Sequence, residues 1–141
     1  MILTDSGFWI ALGNRRDRHH RAAREAAKRW SGEGFVTTWP VLTEVCHLLV
    51  ARVGVHQALD FMDAVAQGAV DVPEPPEDAL TRASYLMRRY RELPMDLADA
   101  SLVILAEQLE ESRILSTDRR DFSGYRWKNT RPFVNLLLPY D

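Results

Sequence analysis

Six acidic residues sit where carboxylates can act together: Asp5, Glu44, Asp96, Asp99, Asp118 and Asp121. Asp5 closes the apolar run Ile2-Leu3-Thr4, where it can serve simply as the N-cap of a helix beginning near Gly7. Glu44 lies among the apolar residues of Val41-Leu42-Thr43-Glu44-Val45. Facing a core it needs a partner or a metal; on a solvated helix face it needs neither. Asp96 and Asp99 stand three apart, a spacing that puts both carboxylates on one helix face. Asp96 as N-cap with Asp99 as third helical residue is a capping-box arrangement. Asp118 ends the run Ile114-Leu115-Ser116-Thr117, and Asp121 follows three residues later.

Taken together, the capping explanations weaken. Asp5, Asp99 and Asp118 occupy equivalent positions, at strand ends or at the helix starts that follow them, and a sheet gathers such positions at one edge. Carboxylates crowded within a few ångströms raise one another's pKa values, and a divalent cation removes that penalty. A ligand set of hard oxygens without a His or Cys cluster suits Mg²⁺, with Mn²⁺ able to substitute. Mg²⁺ takes only one or two carboxylates directly, so the remaining acids would hold its waters. The chemistry expected of such a site is in-line hydrolysis of a phosphodiester.

The elements that must position these acids can be read from periodicity. Short apolar runs at 2–4, 35–38, 69–72 and 113–117 predict strands, with 133–137 as a fifth candidate. Helical spacing covers 19–30, 41–53, 55–66, 78–91 and 97–109, with Gly54 breaking the second from the third. The segment 97–109 is apolar nearly all round, as in a helix buried on most sides. Strands alternating with helices predict an α/β fold with a parallel sheet covered on both faces. Ligands bind outside the carboxyl ends of such strands, where these acids fall.

Composition bounds the alternatives. The chain has 141 residues, 46% hydrophobic and 27% charged, which suits one domain spanning 1–141. No apolar run approaches the roughly 20 residues of a membrane span, and MILTDSGFWIAL does not read as a signal peptide. A single cysteine, Cys46, cannot form an internal disulfide, so a cytoplasmic location is expected, with Cys46 in the core. The net charge of −2 argues against indiscriminate coating of nucleic acid. Sixteen of the eighteen basic residues are Arg, which suits phosphate partners and equally suits a GC-rich genome. There is no P-loop, no GxGxxG and no GxSxG. A response-regulator receiver needs a Lys ending a late strand, and Lys128 in Tyr125-Arg-Trp-Lys-Asn129 does not fit. His19 and His20 read as a solvated helix face, and His47 lacks companion ligands.

Four segments, ILTDSGFWIAL, WPVLTEVCHLL, PMDLADASLVILAEQ and RILSTDRRDF, in this order and spacing, resemble PIN-domain proteins of the VapC group over essentially the whole chain. The resemblance implies a three-layer α/β/α sandwich around a central parallel sheet of four to five strands. It also implies a metal-dependent endoribonuclease acting as the toxin of a toxin–antitoxin pair. Carried over to this sequence, Asp5, Glu44, Asp99 and Asp118 match the family's acids. Asp96 is an additional acid beside the metal, Asp121 a less regular one, and Ser6 and Thr117 are placed to orient water. The implied partners are RNA, a small VapB-like antitoxin and a second copy of the chain, with Trp9 or Trp30 as aromatics that could line the antitoxin groove. The other readings of the same residues are a housekeeping RNA-processing PIN nuclease and a non-catalytic acidic metal-binding module.

Overall fold

Asp5 opens the first helix by capping it. Its side chain accepts the Ser6 backbone N–H, and α1 runs over Ser6–Gly13 directly from the end of β1, Ile2–Thr4. The computed structural model describes residues 1–138, and from β1 the chain builds a four-stranded sheet. After α1 come α2 (His20–Trp30), β2 (Phe35–Val36), α3 (Trp39–Arg52), α4 (Val55–Ala66), α5 (Ala79–Arg89), α6 (Leu97–Leu109) and β3 (Arg113–Leu115). A short α7 (Arg119–Gly124), the strand pair β4 (Arg126–Trp127) and β5 (Arg131–Pro132), and β6 (Val134–Asn135) complete the order. The sheet order is β2-β1-β3-β6 and every pairing is parallel, with Leu3 opposite both Val36 and Ile114.

Hydrophobic burial fixes this arrangement. Ile2, Leu3, Ile114 and Leu115 are completely buried, as expected for central strands covered on both faces, and so is Val36 on the edge strand β2. α1 packs on α2 and α3, α3 on α4, and α5 on α6, which also lies against β1. The all-apolar reading of 97–109 is realised in α6, where Ala100, Leu102, Val103 and Ala106 are fully buried.

Several expectations change. The strand expected at 69–72 shrinks to a single parallel bridge between Val36 and Asp71. Gly68 turns the chain at φ 93° on one side, and Pro73, Pro75 and Pro76 follow on the other, removing the N–H donors a longer ladder would need. Helix α3 starts at Trp39, because Thr38 caps it and Pro40 suits the first turn. The strands at 35–38, 113–117 and 133–137 contract to two or three residues each. Trp9 is not an exposed aromatic: it is 8% exposed, donates Nε1–H to Thr4 Oγ1 at 2.9 Å and packs edge-on against Phe8 and Phe35. Trp30 is half-buried beneath Arg29. His20 is not merely solvated, since its Nδ1 lies 2.6 Å from the Ala11 carbonyl and ties α2 to α1. Cys46 is half-buried rather than central to the core.

Candidate active site

The sheet order makes β1 and β3 neighbours that the chain leaves in opposite directions, toward β2 and toward β6. Their carboxyl ends therefore flank a topological switch point, where open α/β sheets bind ligands. Asp5 follows β1 there, and Asp118 stands three residues beyond β3. A cavity of about 260 Å³ opens at this place, lined by Asp5, Glu44, Asp96, Asp99, Asp118 and Asp121 with Ser6 and Thr117. All eight residues singled out in the sequence thus meet in one pocket.

Capping and crowding prove compatible. Asp5, Asp96 and Asp118 each cap a helix, accepting the N–H of Ser6, Asp99 and Asp121 at 2.7, 2.8 and 3.0 Å. Each helix start thereby delivers a carboxylate to the pocket along with its own cap. Asp99 is not a cap; as the third residue of α6 it lies one turn inside the helix, as the spacing from Asp96 implied. Glu44, half-buried on α3, accepts the Ser6 hydroxyl.

Residues that the sequence did not single out hold the acids in place. Buried Ser116 donates its hydroxyl to Asp5 Oδ2 at 2.9 Å and accepts the Asp118 N–H at 2.9 Å, so one side chain joins the ends of β1 and β3. Asn135 fixes the Ser116 backbone, donating Nδ2–H to its carbonyl at 3.0 Å. The Tyr125 hydroxyl donates to Asp99 Oδ2 at 2.7 Å. Arg52, at the end of α3, lines the same pocket. A polar Ser116 directly after a buried apolar run was a local signal; Tyr125 reaches Asp99 from 26 residues away and left none. Gly7 is required by close approach. A Cβ there would lie 1.8 Å from Thr117 Oγ1, so glycine lets the start of α1 touch the chain after β3.

The acids bear the expected electrostatic cost. Burial, offset in part by the bonds from Ser116 and Ser6 and reinforced by Glu44 and Asp118, raises Asp5 to about 6. Burial and then the Asp5 charge raise Asp99 to about 8, against the lowering effect of Tyr125. Burial and its contact with Asp118 raise Asp121 to about 6. Among the described residues no three His, Cys, Asp or Glu side chains are arranged to enclose an ion by themselves. The donor set of carboxylates and hydroxyls nonetheless fits Mg²⁺ or Mn²⁺, which keep several waters and take few protein ligands directly.

An α/β protein with an acidic pocket whose candidate metal ligands are all oxygens, at the switch point of a parallel sheet, is thereby defined. The PIN domain family matches residues 2–128, and the chain belongs to that family. It is 27% identical over 125 residues to ribonuclease VapC26 of Mycobacterium tuberculosis, spanning 89% of this chain and 92% of that protein. It is similar to the crystal structure of Mycobacterium tuberculosis VapC20, a toxin that cleaves the sarcin–ricin loop. That likeness has a TM-score of 0.79 and 26% identity and covers 94% of this chain and 100% of that one. A toxin–antitoxin complex from Klebsiella pneumoniae shares the fold, with a TM-score of 0.64 and 20% identity over 88% of this chain and 92% of that chain.

Proposed function

We propose that this PIN domain is a divalent-metal-dependent endoribonuclease and the toxin of a VapBC-type pair. The observation that carries the reading is the convergence of six carboxylates on one pocket at the sheet's switch point. The likeness to VapC26 and VapC20 supports RNA as substrate. Asp5, Asp99 and Asp118 are the residues to hold Mg²⁺ or Mn²⁺, with Asp96 and Asp121 acting through water. When bound, the cation offsets the crowded charge and supplies a Lewis acid for the phosphodiester oxygens.

The chain's own groups do the rest. Ser116 and the Ser6 N–H fix both oxygens of Asp5, and Tyr125 fixes one oxygen of Asp99. Asp99 Oδ1 accepts no hydrogen bond among the described residues and remains to accept the proton of the attacking water. The water oxygen bonds to phosphorus as the bond to the leaving ribose oxygen breaks, and that oxygen takes a proton from solvent to leave as the alcohol. Glu44, held by Ser6, belongs to the same acidic wall. Thr117, against Gly7, lines the place where water must stand.

Among the described residues no helix is long and apolar enough to cross a membrane. Action in the cytoplasm on cellular RNA, neutralisation by a small VapB-like antitoxin and self-association as a homodimer complete the proposal. The test is direct. Purified protein should cleave RNA with Mg²⁺ or Mn²⁺ and stop in excess EDTA; cleavage that persists in chelator defeats the metal mechanism. Expression alone should arrest growth, and co-expression with a small neighbouring gene should relieve it. Sequencing RNA ends after brief induction identifies the RNA cut, and normal growth with abundant active protein favours a housekeeping nuclease.

A further inference from the structure

The acidic pocket continues along α1 and α3, past Ile10 and Leu48, to Arg52, the only cation among its lining residues. Glu44, Leu48 and Arg52 recur every four residues and so share one face of α3. Eight residues at 1.5 Å each place Arg52 roughly 12 Å along the axis from Glu44. Helical side chains tilt toward the N-terminus, which for Arg52 is toward the acids. A cation in the last turn of α3 suits the helix on its own account, but that does not require it to line the groove.

Most arginines among the described residues form no ion pair; what sets Arg52 apart is its place in the acidic pocket. Arg82, Arg113 and Lys128 each pair with a glutamate. Arg52 is exposed and forms no ion pair among the described residues, although six carboxylates line the same pocket. An exposed guanidinium lining that pocket without an ion-pair partner is a ready fork for an external anion. A nucleic-acid strand brings phosphates on both sides of the one being cut, and the acids repel them.

We propose that Arg52 anchors a phosphate neighbouring the scissile one, so that the RNA strand lies along the groove between α1 and α3. This rests on the nuclease reading and adds a direction to it.

The test compares wild type, Arg52→Ala and Arg52→Lys on a defined single-stranded RNA oligonucleotide. Versions carrying a neutral methylphosphonate at each flanking position in turn complete the set. Arg52→Ala should raise KM about tenfold with little change in kcat, as loss of uniform binding does. The slope of log(kcat/KM) against log[salt] should shrink by about 0.7, the loss of one single-strand phosphate contact. One methylphosphonate position should weaken wild type and leave Arg52→Ala unaffected, while Arg52→Lys recovers the slope. Binding of the uncut oligonucleotide, measured in an Asp99→Asn background, should weaken by the same factor. Unchanged KM and salt slope in an active Arg52→Ala protein overturn the proposal. So does a fall in kcat with an altered Mn²⁺ midpoint, which would make Arg52 a modulator of the acids. A variant that cleaves normally but escapes the antitoxin assigns Arg52 to a protein carboxylate instead. Wild-type protein that cleaves no RNA fails the nuclease reading itself, and the inference falls with it.

Discussion

The two edges of the sheet handle charge in opposite ways. At the amino edge, Arg113 begins β3 and is clasped by Glu33 and by Glu111, whose Oε1 lies 2.7 Å from an Arg113 nitrogen. Burial alone would raise Glu111, but the hydrogen bonds and charge of Arg113 bring it below the ordinary carboxylate range. At the carboxyl edge of the same strands, six carboxylates face one another, and Asp5, Asp99 and Asp121 are all pushed up. One edge satisfies its acids with guanidinium and the other leaves them to protons or cations. Acids in the first setting stabilise the fold, whereas those in the second cost stability that binding of a cation returns.

The largest effect expected from this contrast is on catalysis. Asp99→Asn should lower cleavage by about a thousandfold or more, about 4 kcal/mol in activation free energy. The same change removes an acid whose ionisation the crowded pocket opposes, and Asp96 still caps α6. The metal-free protein should therefore melt no lower than wild type and be more stable by up to about 2 kcal/mol. Its Mn²⁺-induced thermal shift should shrink. A fully active Asp99→Asn protein would remove Asp99 from the site and point to Asp96.

Titration should separate the edges next. Asp5 and Asp99 have folded pKa values above their unfolded ones, so the folded state binds more protons as pH falls from about 8 toward 5. In EDTA the protein should gain stability over that window, on the order of 1–3 kcal/mol. Glu111 is shifted the other way, so its contribution is present above the ordinary carboxylate pKa and is lost only in stronger acid. Saturating Mn²⁺ should flatten the rise between pH 5 and 8. Denaturant melts at fixed ionic strength give the curve, and a metal-free profile that declines from pH 8 to 5 contradicts the crowding.

Removing the paired charge should have the converse signature. Glu111→Gln leaves Arg113 with a weaker partner and should cost about 1–1.5 kcal/mol while cleavage is unchanged. Loss of activity with intact stability would place the amino edge in the function.

How much of this was legible in the sequence depends on range. Asp5, Asp96 and Asp118 were legible because strand end, cap and helix start are adjacent residues, and the caps observed at 2.7–3.0 Å are local contacts. The convergence of the acids followed from the rule that parallel strands share a carboxyl edge. The apolar run at 69–72 forms only one bridge because the prolines that follow it remove the N–H donors a longer strand needs. The β4–β5 pair escaped because Lys128 and Asn129 turn it with φ of 47° and 65°, which few non-glycine residues adopt. Tyr125 lies just before that turn, and only tertiary packing brings its hydroxyl to Asp99.

That hydroxyl offers the smallest and most selective test. Tyr125 is completely buried, with its ring edge-on to Tyr90 and Phe122 at 5.2 and 5.1 Å. Phenylalanine keeps this packing and deletes only the donor, so stability should change by about 1 kcal/mol or less. Burial and the neighbouring Asp99 hold the phenol far above its ordinary pKa, so in wild type it remains a proton donor at every working pH. Its bond lowers the Asp99 pKa, and without it that pKa should climb further. Asp99 must be ionised to serve in the site. Tyr125→Phe should therefore cleave about three- to fivefold more slowly at neutral pH, and the acidic limb of its rate profile should move to higher pH. Raising the pH should recover most of the loss. A purely structural role for Tyr125 would lower the rate equally at every pH, and an unmoved acidic limb would show that Asp99 does not depend on this bond.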